Sequence, residues 1–409
     1  MRIRLGTLFS GIGAIEQTLL KMGLEHSIVF ACDNGENDLR LLPKEEQQEL
    51  DSLRKIPAKK RNSIQKARLV ELEQVEFGIT QDIYNQVISL QNKHAKQQFV
   101  EQLYKDHSKF DESIRQSYLA NYIIDPDNFH WDVRFMDGHD YVNEVDIMVG
   151  GSPCQAFSTN GKRGGFEDTR GTLFHDYARI INEVQPRCFI FENVKGLLVH
   201  NHGHTWETIK SVFRELNYRI FIHTDKYGNE APLLNAVDYG IPQNRERIFI
   251  VGIRKNIVLK KDFCFPIPIP LTKTNKDFLE DNVDAKYYLG KKGFEFVTTH
   301  PTRAQVGRDI QKCQKANQQF NWNGDFIFEP LSAKHTKEIL ERAYVGTWKG
   351  VSGVIRMYTP RECLRLMGFP DSFKMIHGDN TMWRQSGNSI VVDVLEHIMT
   401  ELITTGVFE

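Results

Sequence analysis

The sequence has no Cys-x-x-Cys pair, no window of about eighteen apolar residues and no surplus of positive charge. Its six cysteines (Cys32, Cys154, Cys188, Cys264, Cys313, Cys363) lie scattered without regular spacing. That argues against a disulfide framework or a cysteine zinc site, no metal is expected, and the pattern fits a reducing compartment. Residues 2–9, Arg-Ile-Arg-Leu-Gly-Thr-Leu-Phe, hold no apolar signal core, so a soluble, cytoplasmic protein without a membrane span is expected. With 52 Lys and Arg against 53 Asp and Glu the net charge is -1, so any grip on anions must come from local patches. What is present is ordinary globular material, 40% hydrophobic and 26% charged, and 409 residues suffice for two domains.

The chain is organised around one stretch, Asp146 to Ser158. Ile147, Met148 and Val149 read as a buried strand that Gly150, Gly151 and Pro153 end, so Cys154 is expected where a strand opens into a loop. A lone cysteine more often packs as a small hydrophobe. Here Gly161-Lys162-Arg163-Gly164-Gly165 follows it, and a basic, glycine-rich loop supplies both the cations that activate a thiol and room for a substrate.

Taken in order, residues 3–9 read as a strand leading through Phe9-Ser10-Gly11-Ile12-Gly13-Ala14 into a helix, the opening of a nucleotide-binding βαβ unit. A second strand, 27–31, ends at Cys32-Asp33, where such folds place an acid against a ribose hydroxyl. Between 35 and 110 the texture is polar and helical, including one long helix over 83–104, with thirteen Lys/Arg against twelve Asp/Glu. This insertion carries no recognisable chemistry. The βα alternation then resumes, and the strand Cys188–Phe191 ends in Glu192-Asn193-Val194, on the same rim as Cys154 if the strands are parallel. Arg245 and Arg247 alternate onto one face where the strand 248–253 begins, an arrangement suited to gripping an anion. From 255 to 350 the rhythm fails; prolines, aromatics and sixteen Lys/Arg against eleven Asp/Glu suggest a module facing phosphates. A short helix with Thr359 as cap and Pro360 at its first position follows, and Gln385 to Val392 reads as the amide-bearing entry to a last helix.

Ser152-Pro-Cys-Gln155, Asp168-Thr-Arg-Gly171, Glu192-Asn-Val194, Gln243-Asn-Arg-Glu-Arg247, Arg361-Glu362 and Gly387-Asn-Ser389 occur in one order, and in it the sequence resembles the DNA (cytosine-5) methyltransferases. The resemblance implies an α/β, Rossmann-like S-adenosylmethionine-dependent fold with a smaller, irregular target recognition domain. It implies a catalytic domain over 1–254 with the insertion 35–110, a recognition domain over 255–354 and a return to the catalytic domain over 355–409. By the same resemblance Cys154 is the nucleophile, Glu192 the ring-nitrogen partner, and Arg245 and Arg247 active-site cations. Phe9, Gly11, Gly13, Asp33 (ribose), Asp132 (adenine), Pro153, Leu173, Asn388 and Ser389 line the site of S-adenosyl-L-methionine. Ala14 stands where the family often has glycine, and Asp33 where glutamate is usual.

The implied substrate is double-stranded DNA bound by a monomer in the nucleoid, with a separately acting restriction endonuclease as a candidate partner. Thiolate addition to carbon 6 of a flipped cytosine would make carbon 5 nucleophilic. An RNA substrate is the alternative that keeps this chemistry, although the long module at 255–350 favours groove reading of a duplex. A non-catalytic DNA-binding protein is the other alternative, and the set Cys154, Glu192, Arg245 and Arg247 argues against it.

Overall fold

The computed structural model describes residues 2–153, 172–317, 319 and 322–409. In chain order the first half comprises β1 (Ile3–Leu8), α1 (Ala14–Lys21), β2 (His26–Cys32), α2 (Lys44–Lys55), α3 (Ser63–Ser89), α4 (Lys93–His107), α5 (Ser113–Asn121), β3 (Phe129–His130) and β4 (Ile147–Gly150). There follow α6 (Leu173–Val184), β5 (Cys188–Val194), α7 (His204–Glu215), β6 (Tyr218–Ile222), β7 (Leu233–Asn235), β8 (Gln243–Asn244) and β9 (Glu246–Arg254). The remainder is α8 (Lys291–Thr299), β10 (Ala304–Val306), β11 (Gln311–Lys312), β12 (Gly324–Pro330), α9 (Lys337–Arg342), β13 (Gly346–Trp348), β14 (Val351–Arg356), α10 (Pro360–Arg365), α11 (Asp379–Asn388) and α12 (Val392–Thr404).

The apolar runs of the first 254 residues become one sheet in the order β3-β2-β1-β4-β5-β9-β6, with β7 also on β9. β1 to β5 are parallel, and β9 is antiparallel to both its neighbours. Alternate residues explain why the runs are apolar without a break: Ile147, Val149 and Ile190 face a cluster with α1 and α12, whereas Met148, Phe189 and Phe191 face one with α6 and α7. The order reverses on either side of β1, and open α/β sheets bind ligands outside the C-terminal strand ends at such a switch. The C-terminal ends of β1, β2, β4 and β5 and the N-terminal end of antiparallel β9 therefore share one edge. No helix among the described residues is long and apolar enough to cross a membrane.

The insertion differs from its expected form. The helical periodicity predicts one helix over 83–104, but the chain breaks between α3 and α4. Asn92 takes an extended conformation and its side chain accepts from the Ala95 amide at 2.9 Å, so a local cap ends what periodicity alone would continue. The insertion's two ends converge because Asn37 bonds the Asp111 backbone both ways, at 2.8 and 2.7 Å.

The region after 254 is also more ordered than its proline-broken texture suggests. Phe263 packs on Phe221 and Phe265 on Phe263, covering the large sheet's core, so the first part of this region leans on the large sheet. A separate core begins at Leu289 and joins Phe294, Val297, Val306, Phe326 and Ile355 beneath the four-stranded sheet β10-β12-β14-β13.

Candidate active site

The catalytic edge is built by close backbone approach. A Cβ on Gly151 would lie 2.3 Å from the Glu192 carbonyl oxygen and 2.8 Å from its Oε2, so only glycine lets the end of β4 pass the Glu192 side chain. Asn193 Nδ2 donates to the Ser152 carbonyl at 2.8 Å and fixes the turn that enters Pro153, which is exposed. Cys154, the 159–165 loop and the Asp168–Gly171 motif lie outside the described residues.

Glu192 is opposite Phe249 in the β5–β9 ladder, so Arg247, two residues away, shares its face diagonally. The Arg247 Nε reaches Glu192 Oε1 at 3.1 Å. Burial pushes the Glu192 carboxyl up from the ordinary range, while the Arg247 and Arg245 charges pull it back. The result is an acid partly shielded from water and aimed by a cation.

Arg245 departs from the paired-cation reading. Its guanidinium is buried and donates to the carbonyls of Gln314 (2.8 Å), Gly387 (3.1 Å) and Ser389 (2.7 Å). Burial, followed by the charge of Arg247, lowers it to about 10. The reason lies in α11: Gln385 to Asn388 close that helix before Val392 opens α12, the expected last helix, and a helix C-terminus presents unpaired carbonyls to a cation. Arg245 is thus a clamp that joins β9, the segment after β11 and α11. A Cβ on Gly387 would stand 2.5 Å from backbone atoms of Lys315 and Ala316, which explains the glycine.

At the opposite part of the edge Phe9, Gly11 and Gly13 all have positive φ, 53°, 54° and 79°. Gly11 is open, with nothing among the described residues within 4 Å of a Cβ placed on it. A Cβ on Gly13 would strike the Tyr122 ring at 2.3 Å, so packing against α5 demands that glycine whatever binds nearby. Asp33 accepts from the Gly11 and Gly35 amides at 2.8 Å each, and burial pushes its carboxyl up. One amide per oxygen leaves acceptor capacity on a half-buried acid, which suits a ribose diol. Leu173 opens α6 half-buried beside this edge, Ser389 is buried, and Asn388 is exposed with its Nδ2 donating to Glu36 at 2.7 Å. These features fit S-adenosylmethionine.

Asp132 fits it less directly. The expectation of an adenine partner meets a carboxylate only 3% exposed, with Tyr104 Oη on Oδ2 at 2.5 Å and the Arg134 fork on both oxygens at 2.7–3.1 Å. Buried charge must be paired, and here the partners are internal. The structure makes Asp132 the centre of a knot at the C-terminal edge of β3, beside Asp33, whose amide donates to the His130 carbonyl at 3.0 Å.

Sequence reasoning assigns no role to Asn193, Tyr104 or Cys313. Asn193 stands inside a quoted motif, and its burial as a polar residue at a strand end is the available signal. Cys313 Sγ lies 3.5 Å from Arg245 Nη1 and 3.7 Å from Arg247 Nη2, and nothing in its sequence surroundings points there.

The family profile described as C-5 cytosine-specific DNA methylase matches residues 106–404. The Type II methyltransferase M.SsoII of Shigella sonnei is 38% identical over 299 residues, 73% of this chain and 73% of that protein. M.HpaII of Haemophilus parainfluenzae is 37% identical, covering 71% of this chain and 80% of the relative. Among solved structures, the S. pombe Dnmt2 methyltransferase superposes with a TM-score of 0.58 at 16% identity over 98% of each chain, a likeness of fold.

Proposed function

The chain belongs to the C-5 cytosine-specific DNA methylases, and from that premise we propose how the residues of this edge divide the work. The enzyme methylates carbon 5 of cytosine in DNA. S-adenosylmethionine supplies the methyl group; Phe9, Gly11 and Asp33 with the 131–133 loop would hold it. Carbon 5 is a poor nucleophile until a thiolate adds to carbon 6, and Cys154 is assigned that attack. The new sulfur–carbon bond pushes negative charge toward ring nitrogen 3. An acid whose carboxyl is raised by burial is suited to donate there, and Arg247 holds Glu192 in place and balances the charge. Once carbon 5 has taken the methyl group, leaving S-adenosylhomocysteine, a base would take the carbon 5 proton, and the electrons of that bond would expel the cysteine. Gly151 keeps the passage beside Glu192 open, and Asn193 sets the turn into Pro153. The target base must leave the duplex to reach this edge.

The module with its own core, from Leu289 to Arg356, is assigned target reading; its arginines, lysines and aromatics supply phosphate and base contacts. Several relatives are named Type II methyltransferases, and by that likeness the chain acts as the modification half of a restriction–modification pair with a separate endonuclease.

The observation that carries this reading is the half-buried Glu192–Arg247 pair at the end of β5. Its test is Glu192→Gln, which keeps a hydrogen bond and removes the proton. Methylation should slow about ten- to ten-thousand-fold with binding of DNA and S-adenosylhomocysteine retained. Wild type, and not Cys154→Ala, should cross-link to a 5-fluorocytosine duplex. An unchanged rate in the glutamine variant would make Glu192 structural.

A further inference from the structure

The insertion and the cofactor edge share a core. Leu39, Ile83, Val87, Val100 and Tyr104 of the insertion cluster with Trp131 and Phe135, which flank Asp132 in the loop after β3. Tyr104 is fully buried, its ring lies 6.2 Å from that of Trp131, and its hydroxyl ends on Asp132. On the other side Arg179 of α6 donates to the carbonyls of Val133 (2.6 Å) and Met136 (3.0 Å), so the loop is gripped from both flanks. The insertion touches the edge again through Glu36, the acceptor for Asn388.

We propose that the helical insertion is a buttress for the cofactor pocket and that Tyr104 is its positioning residue, holding the Asp132–Arg134 loop in the shape that receives the adenosyl end of S-adenosylmethionine. The proposal rests on the reading of this edge as the cofactor site. A buried hydroxyl on a carboxylate costs free energy to leave unmade, and the carboxylate it orients takes the backbone of residues 132–134 with it. Arg134 completes the clamp from the solvent side, its own side chain 24% exposed.

The test is calorimetric titration of the full-length protein with S-adenosylhomocysteine, with thermal unfolding measured in parallel. Tyr104→Phe should weaken binding about tenfold, the size of one lost charge-assisted bond, and raise the KM for S-adenosylmethionine with kcat kept at saturation. Val87→Ala, in the same cluster but with no polar group to offer Asp132, should lower the melting temperature and leave binding within about twofold. Arg134→Gln should act like Tyr104→Phe and keeps the proposal testable should the phenylalanine variant not fold. Asp33→Asn reports on the pocket itself. If Asp33→Asn weakens binding and neither Tyr104→Phe nor Arg134→Gln does, the buttress is refuted and the pocket stands. If Asp33→Asn has no effect, the pocket reading fails and the proposal with it. Equal weakening by Val87→Ala would mean general loosening and would also overturn a positioning role.

Discussion

Two regions have been added to the central sheet, and they are attached in opposite ways. The insertion between β2 and β3 has one cluster of its own, around Leu50, Leu53, Leu69 and Leu72, and a second that it shares with Trp131 and Phe135 of the loop after β3. The module from Leu289 to Arg356 has its own core, with Ile327 alone among its described residues reaching into that of the large sheet, and it is tied on by polar contacts: the Arg245 clamp on Gln314, β11 on β8, and a buried ion pair in which Arg356, 1% exposed, forks onto Glu362, fully buried, at 2.8 Å per bond. A part with its own core can exchange its surface without disturbing the site, whereas a part that shares a core transmits its packing to it. By that logic the module, proposed to read the target, is free to vary its surface, and the insertion is tied to the edge proposed to hold the cofactor.

The largest effect should come from cutting the module's joint. Glu362 also accepts from the Thr359 and Glu280 amides, both at 2.9 Å, so Glu362→Ala removes the acceptor of two amides and of the Arg356 fork, leaves that buried guanidinium only Glu329 as a carboxylate partner among the described residues, and should cost about 3–4 kcal/mol in denaturant unfolding. S-adenosylhomocysteine affinity should stay near wild type. A parallel fall in affinity would show that the module is not independent and would break the comparison.

The next effect sits at the insertion's exit. Tyr118 of α5 donates to Glu16 Oε1 at 2.5 Å, and Glu16 Oε2 has no hydrogen-bond partner among the described residues. Burial raises this carboxyl from 4.5 to about 7. Its protonated form is the one that suits the fold, so the stability it permits is complete below about pH 4.5 and is lost as pH rises through about 7. Glu16→Gln, which cannot ionise, should therefore stabilise the protein at about pH 8, by on the order of 3 kcal/mol, and little at about pH 5. A difference that does not change with pH would dispose of this assignment, which contrasts a cation-free acid at the insertion with a fully paired one at the module.

The smallest expected effect sharpens the contrast most directly. Asn37 already bridges to Asp111, so a short linker in place of residues 38–110 keeps the crossover closed, although it uncovers Trp131 and Phe135 and should lower the melting temperature. Bisulfite mapping should return the same methylated sequence as wild type, with cofactor affinity down about tenfold. A new target sequence from a folded deletion protein would move part of the reading surface into the insertion.

Local pattern made the large sheet legible. Unbroken apolar runs ending in glycine or a carboxylate announce buried strands with their chemistry at one edge, and β4, β5 and β9 form where those runs lie. The cap that splits α3 from α4 was present in Asn92 but lost beneath a strong helical period. Arg245 and Arg247 show the limit of alternation. Period two puts both side chains on one side, yet Arg247 meets Glu192 and Arg245 meets the carbonyl end of α11, more than 140 residues away in sequence.

By itself, then, the sequence determined which segments are buried, where each strand must open into a loop, and which acid stands at the end of β5, because those follow from hydrophobic period and from what glycine and proline allow. Only the tertiary structure decided which groups are already satisfied. Asp132 and Arg245 look in the sequence like a free acid and a free cation, and folding brings Tyr104 and Arg134 to the one and three carbonyls to the other. Whether a charge is available for a ligand depends on the partners that long-range packing delivers to it, and the low dielectric of the interior makes those partners obligatory.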